Sequence, residues 1–516
     1  MERCGKGYTC FHSNGCLERK GINMQASHIV VKEIHFLAIK ECKIAKKVNK
    51  HGTAKIVGII KDEDEEKYLD LACSEKYIHV MAVSSQKKEK CIFSGIIENM
   101  EMTISDSKVI TLNLITGTKL LDLKNRTRTF QDASMSYKRI LKSNEKLNKK
   151  VGANSIFRID EEKCPGTLIT QYKETDWDFA IRMASNCNTC LIPACTIDGA
   201  KYYVGIHKEQ NPIEVARKNI TNLSIKKNVN EYEKIKRRKL FRYEEKDSYI
   251  YRFKSREIYE IGECLDIGVK KRLFVYSVEA RFDGQENVNT YILRTAAGFS
   301  KVKKYNDTMI GASLGGKILR VTRDEVELAL EVDEEYEDTG VRLFPYSTVY
   351  SSPDGTGWYC MPEIGDDVRL YFPTNDEKDA YVISAVHIEV STTTTYSVSS
   401  SDDTPPRTEP SHKSFKNSTG KEIRFTPSKL VINSPGNARI ELDDKEGITI
   451  TSAGSIRFKA DRMIEMHSTE STITMDASKG LALRQGDTAQ ILIKDENITF
   501  EGARMHLQDK DPLSGE

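Results

Sequence analysis

Along the last hundred residues the apolar positions fall in pairs with one residue between them. Ile448/Ile450, Ile456/Phe458 and Ile464/Met466 are three successive pairs, each eight residues after the one before. Reading outward, the second members are Phe425, Ile432, Leu442, Ile450, Phe458, Met466, Met475, Leu483, Ile493, Phe500 and Leu507, at intervals of 7, 10, 8, 8, 8, 9, 8, 10, 7 and 7. A period of two inside each unit predicts a short strand with one apolar face. The middle residue then faces water. It is Arg424, Glu441, Thr449, Arg457, Glu465, Thr474, Thr499 or His506 in eight of the eleven units, with Val431, Ala482 and Leu492 the exceptions. Turn formers such as Ser434-Pro435-Gly436 and Ala453-Gly454 separate the units.

Two inward residues per unit cannot fill a core alone. One chain wound as a parallel solenoid needs about twenty residues per coil. Three chains, each giving one strand per layer, do close a core, which predicts an intertwined trimeric β-helix, a three-sided prism. Its inward side chains are Ile440, Leu442, Ile448, Ile450, Ile456, Phe458, Ile464, Met466, Ile473, Met475, Leu481 and Leu483. Eleven layers at ~4.8 Å give on the order of 50 Å. The alternative is an ordinary sheet with regular hairpins.

Upstream the pattern is also mostly two-residue. SHIVVKEIHFLAI, TAKIVGIIK, KYIHVMAV, KCIFSGIIENMEMTI and KVITLNLITG predict strands between Ser27 and Leu123. Helices are predicted at SMSYKRILKSN, TDWDFAIRMASNCN and QNPIEVARKNITNL, the last with Pro212 in its first turn. Strands resume at SYIYRFKSREIYEIGECLDI and KRLFVYSVEARFDGQENVNTYILRT. Gly315-Gly316 opens a block of alternating strands that predicts a small barrel, and STTTTYSVSSSDDTPPRTEPSHKS at 391–414 reads as a linker. The fold class expected is mainly β with some α.

Charge changes this picture by segregating. Residues 1–313 carry 56 basic and 40 acidic side chains, a net of +16, while 314–390 carry 6 and 17, a net of −11. The acidic block argues against phosphate or single-strand binding there. KIKRRKLFR at 234–242 reads as a solvated helix or rim rather than a nucleic-acid site. No apolar run reaches the ~20 residues of a membrane helix, and MERCGKGYTCFHSNGC lacks the apolar region of a secretory signal, so assembly in the cytoplasm is expected. The twelve cysteines are then mostly reduced. Cys187, Cys190 and Cys195 have metal-like spacing but need a fourth donor such as Cys164 or His207. Cys4, Cys10 and Cys16 with His12 are a second candidate, and buried thiols are the competing reading of both sets. The acidic run Glu331, Asp333, Glu334, Glu335, Glu337 and Asp338 lacks the glycine and terminal glutamate of an EF-hand and is expected to be a solvated loop.

Three stretches carry a family resemblance. YKETDWDFAIR presents Glu174, Asp176, Phe179 and Arg182; TRTFQDASMSYKRI presents Phe130, Gln131, Met135 and Tyr137; GTGWYCMPEIGDDVRLYFPTNDEKDAYVIS presents Gly357, Met361, Pro362, Gly365, Asp366, Val368, Phe372 and Val382. In this order, followed by the octad repeat, they resemble the VgrG-type spikes of contractile injection systems, equivalent to a phage hub of the late control protein D kind fused to its spike. Ser384 stands where that family usually has glycine.

The resemblance implies an N-terminal extension at 1–26, a first hub β-barrel domain at 27–150, and a hub α/β and second barrel domain at 151–313. It further implies an OB-fold neck at 314–390, the linker at 391–414, the trimeric β-helix at 415–508 and a tail at 509–516. It implies a homotrimer that joins the tail tube and baseplate proteins to a membrane-piercing needle, with effectors as cargo and only transient contact with the target membrane. No cofactor, nucleic acid or catalytic site is expected. The 24-residue gap before the needle is too short for an enzyme domain, and about nine residues follow Leu507. The competing function is a phage-type baseplate hub with an adhesin or envelope-degrading role. The last layer, Met505/Leu507, is apolar and blunt, with the single His506 facing outward. It is expected to seat a PAAR-like tip protein.

Overall fold

A computed structural model of the chain describes residues 24–238, 242–336, 339–349, 360–383 and 411–504. The chain divides into two compact units, Met1–Glu389 and Val390–Glu516, and is mainly β with a few short helices.

The first unit is organised by a twelve-stranded sheet. Its main path runs His28–Val31, Ile78–Val83, Glu89–Ile104, Lys108–Ile115, Thr53–Ile59, Ala38–Lys47, Leu273–Phe282, Asn287–Arg294, Tyr249–Ser255 and Thr221–Lys227. The two stretches expected to form separate barrel-like domains share this sheet, because Ala38–Lys47 pairs with Leu273–Phe282 in antiparallel register from Lys47↔Ser277 to Cys42↔Phe282. The sheet is open, and no barrel closes among the described residues. Alternation decides its faces. Cys42, Ile44, Ala54, Ile56, Ile110 and Leu112 enter one apolar core, while Tyr251, Phe253, Val275, Tyr291 and Leu293 enter a second.

A helical layer interrupts the sheet. Helices Tyr137–Leu147 and Asp176–Asn186 start at Ser136 and Thr175, whose side chains accept from Arg139 N and Asp178 N. Each cap satisfies an amide that the first turn leaves without a partner. Their inner faces bury Ile140, Leu141, Phe179, Ala180, Met183 and Ala184 in a third core. The third helix expected, around Pro212, does not form. That stretch holds the short strand Ile213–Glu214 and a 3₁₀ turn at Arg217–Asn219. Parallel pairing of Ile213 with Leu265 and burial of Val215 and Ile220 outweigh the helical propensity.

The acidic block forms a five-stranded antiparallel sheet in the order Leu343–Pro345, Glu325–Leu330, Ser313–Thr322, Asp367–Tyr371 and Tyr381–Ile383. Its two edge strands meet at one isolated bridge, Tyr346↔Val382. Its core holds Leu314, Ile318, Val326, Leu328, Phe344, Val368, Leu370, Phe372 and Val382.

In the second unit, the repeat pairs with itself at both ends. Lys413–Lys416, Glu422–Phe425, Lys429–Ser434, Ala438–Asp443 and Gly447–Thr451 form a five-stranded meander, and Leu481–Gln485, Ala489–Lys494 and Asn497–Glu501 a three-stranded one. Between them, residues 452–480 form no strand.

Candidate functional site

Two features follow from these residues: a buried arginine junction in the first unit and an open apolar face in the second. The junction is built from the strand pair Asn125–Phe130 and Ile169–Thr175, the helix Asp176–Asn186 and the acidic sheet. Arg182 is 2 % exposed. Its Nε donates to Glu174 Oε1 and Oε2 at 3.0 and 3.1 Å, Nη2 to Glu174 Oε2 at 2.9 Å and Thr170 O at 2.5 Å, and Nη1 to Glu377 Oε1 at 2.7 Å. Burial pulls the guanidinium pKa down, but Glu174 and Glu377 more than offset this and leave it raised. Glu377 stands just ahead of Tyr381–Ile383, so one guanidinium ties an edge strand of the acidic sheet to the helical layer. A planar fork serves this geometry as an ammonium could not.

Around it the other motif residues assemble. Asp176 accepts from Arg126, Asn148 and Gln171 at 2.7–2.9 Å. Phe179 stacks on Phe130 with centroids 6.0 Å apart. The Gln131 amide nitrogen donates to Thr339 O at 2.6 Å, and Met135 and Tyr137 enter the third core. On the side of the acidic sheet, Met361 packs against the core that buries Val368, Phe372 and Val382. Gly365, at φ +93, makes the turn in which Asp366 accepts from Glu363 N. Gly357 and Ser384 lie outside the described residues.

Asp333 corrects the expectation of a solvated acidic loop. It is 7 % exposed and turns inward, accepting from Thr129 N at 2.7 Å and Thr129 Oγ1 at 2.5 Å. Burial raises its pKa despite those bonds. Among the described residues the backbone amide of Thr129 has no neighbour strand on that side, so the carboxylate completes it. Glu377, Thr129 and Arg128 were not singled out in the sequence. Arg128 is buried between the Phe130 and Tyr336 rings, 4.9 and 5.4 Å from their centroids. It donates to Gln171 and Ser143, and burial pushes its pKa down to about 10.

The candidate metal ligands are not brought together. Cys195 belongs to the first core, Cys190 to the second, and Cys187 packs against the third. Burial pushes their thiols up to about 12, 12 and 11 respectively. Cys164 is exposed and bonds Ser134 O. Among the described residues no three His, Cys, Asp or Glu side chains are placed to hold a metal ion. The set Cys4, Cys10, Cys16 and His12, and the tip residues Met505 and Leu507, lie outside the described residues.

The second unit exposes the face expected to be inward. Ile423 pairs with Ile432, Ile432 with Ile440 and Ile440 with Ile450; alongside run Phe425, Leu430, Leu442 and Ile448. Two apolar side chains per strand therefore stack in register on one face. Ile440, Leu442 and Ile450 are 37, 39 and 45 % exposed, and Ile448 is 70 % exposed. The same face recurs as Leu481, Ile493 and Ile498 beside Leu483, Ile491 and Phe500. Ile456, Phe458, Ile464, Met466, Ile473 and Met475 between the meanders are also exposed. The opposite face covers itself with ion pairs, Arg424–Glu422, Lys429–Glu441, Lys429–Asp443 and Arg439–Glu441.

No family model matches the chain, and no curated protein matches it in sequence. Solved structures match it in fold. The lidless PdpA–VgrG complex aligns over 84 % of this chain and 100 % of its own, at 10 % identity and a TM-score of 0.54. The lidded Francisella PdpA–VgrG complex aligns over 82 % and 79 %, at 9 % identity and a TM-score of 0.54. This chain has a VgrG-like fold. The E. coli c3393 protein, described as a component of the type VI secretion system, aligns over 69 % of this chain and 99 % of its own, at 11 % identity and a TM-score of 0.49. Within the VgrG-like fold, two of the motif stretches meet at the junction around Arg182, and the third reaches it through Glu377.

Proposed function

We infer that this chain is the hub and central spike of a contractile injection machine, a type VI-like secretion system, a phage tail or a phage-tail-like particle. In this reading it works as a homotrimer that joins a tail tube to a membrane-piercing needle. The observation that carries it is the pair of in-register apolar faces at residues 423–450 and 481–500. A soluble chain does not leave two apolar side chains per strand open over so many strands unless something covers them. Side chains about half exposed gain on the order of 1 kcal/mol each when covered. Two further copies supply the same face around a threefold axis. Interleaving then falls to residues 452–480, whose backbone has no strand partner among the described residues. The neck sheet, with edges meeting at one bridge, is read as an OB-type barrel.

The role proposed is mechanical rather than catalytic. Contraction of a sheath supplies the work, and the spike concentrates the force, capped by a PAAR-like tip on Met505 and Leu507. Deleting the gene should abolish injection by the particle. The wild-type chain should restore it, and a chain carrying Ile456→Asp and Phe458→Asp should not. Particles that inject without the chain would overturn this reading. Murein clearing by the purified protein would favour the envelope-degrading hub instead.

A further inference from the structure

The twelve-stranded sheet has a second face, turned away from both cores. Along Ala38–Lys47 and Thr53–Ile59 the residues between the buried ones point outward, and three of them line up. Lys55 is directly opposite Lys43, and Lys43 directly opposite Arg281. All three are exposed. A row of cations therefore crosses three adjacent strands at the ~4.8 Å spacing of a sheet. The same face continues through Lys47, and through Arg252 and Lys254 on Tyr249–Ser255. Among the described residues the one ion pair in the row is Lys43–Glu41 at 2.6 Å. That single carboxylate is held below its usual range by the Lys43 hydrogen bond, with Arg281 and Lys55 adding to it.

Like charges directly opposite in an antiparallel pair destabilise it. The row thus works against the sheet that carries it, at positions where threonine or glutamate would serve the fold better. The geometry points to a docking face for a partner protein that presents a carboxylate-rich surface. Charge complementarity commits it to an acidic occupant. The pattern around the row favours protein over nucleic acid. Glu41, Glu279 and Glu101 stand on the same face within one or two register rows, and they would repel a continuous phosphate backbone. Mixed charge with a dominant sign is how protein partners fix register and reject wrong ones. The inference does not depend on the trimeric reading of the second unit.

The test uses the full-length chain, a fluorescent oligo-glutamate peptide as the acidic probe, and anisotropy at low salt. The variant K43Q/K55Q/R281Q removes the row, and K234Q/K236Q/R237Q removes equal charge from the helix Val229–Arg238. The row variant should weaken peptide binding about tenfold and the helix variant less than about twofold, because exposed charges each contribute modestly and only the row lies on the docking face. The row variant should melt at the same temperature as the wild type or higher. A lower melting temperature would mean the row serves folding and overturns the proposal. So would equal losses in both variants, row-dependent binding of duplex DNA tighter than that of the peptide, or a change of oligomeric mass in the row variant.

Discussion

Removing the Arg182 side chain should open the seam between the helical layer and the acidic five-stranded sheet. The guanidinium makes five hydrogen bonds, to Glu174, Glu377 and Thr170 O. In Arg182→Ala the Glu377 carboxylate, 2 % exposed, and the Glu174 carboxylate, 11 % exposed, face each other with no cation between them. Breaking a buried ion pair from one side costs about 3–5 kcal/mol. Two or three lost charge-assisted bonds at about 1.5–3 kcal/mol each reach the same range. Glu377→Gln should cost less, about 1–2 kcal/mol, because Arg182 keeps Glu174 and the amide still accepts one bond. Hydrogen exchange with mass spectrometry on the full-length chain reads this locally. A loss of about 3 kcal/mol speeds exchange about a hundredfold where opening is local. That acceleration should appear in Asp367–Tyr371 and Tyr381–Ile383, while Ala38–Lys47 stays unchanged. Exchange within about threefold of wild type, or a larger effect from Glu377→Gln than from Arg182→Ala, would refute the reasoning.

Replacing Ile456 and Phe458 together with Asp should disrupt the second unit and leave residues 24–383 folded, at several kcal/mol for each charge placed in a dry layer. Arg457→Ser should do little, and limited proteolysis separates the two. Gly340 has φ +75, and a Cβ there would meet Asp132 Cβ at 2.7 Å and its amide nitrogen at 2.8 Å. Gly340→Ala should therefore cost about 1–3 kcal/mol in a denaturant titration. His79 lies between Asp198 at 2.9 Å and Glu33 at 2.7 Å, and hydrogen bonds to Asp198 and then Glu33 raise its pKa from 6.5 to about 10. The stability it contributes is present in full below pH 6.5 and is lost as pH rises toward 10. Denaturation midpoints should fall across that window, and the fall should shrink in His79→Gln. Cys190 and Cys195 should react with a thiol reagent only after unfolding, because burial keeps them protonated.

The octad repeat was legible at both of its ends, where a period of two within a unit marks the strands and their apolar face, whereas the units Ile456/Phe458, Ile464/Met466 and Ile473/Met475 form no strand. The register Ile432↔Ile440↔Ile450 follows from it. The core-facing alternation of the strands of the twelve-stranded sheet was legible for the same reason. Long-range pairing was not. Nothing in KEIHFLAIKECKIAKK tells it to pair with Leu273–Phe282 rather than close a barrel locally, and Ile213–Glu214 is a strand only because Leu265 lies beside it. At the junction, Glu174, Asp176, Phe179 and Arg182 were visible as a motif, but Glu377 and Asp333 read as two more surface acids. Their burial depends on partners nearly two hundred residues away. Cysteine spacing carried no information on packing: within nine residues Cys195 and Cys190 lie in two different cores and Cys187 packs against a third.

We propose that copies of this chain cover the apolar face of the second unit. Native mass spectrometry of the full-length protein tests it directly. The account predicts a single species of three times 58.5 kDa, falling apart only on denaturation and shifted toward lower mass by Ile456→Asp with Phe458→Asp. A clean monomer of 58.5 kDa with the face still open to an apolar dye would contradict it.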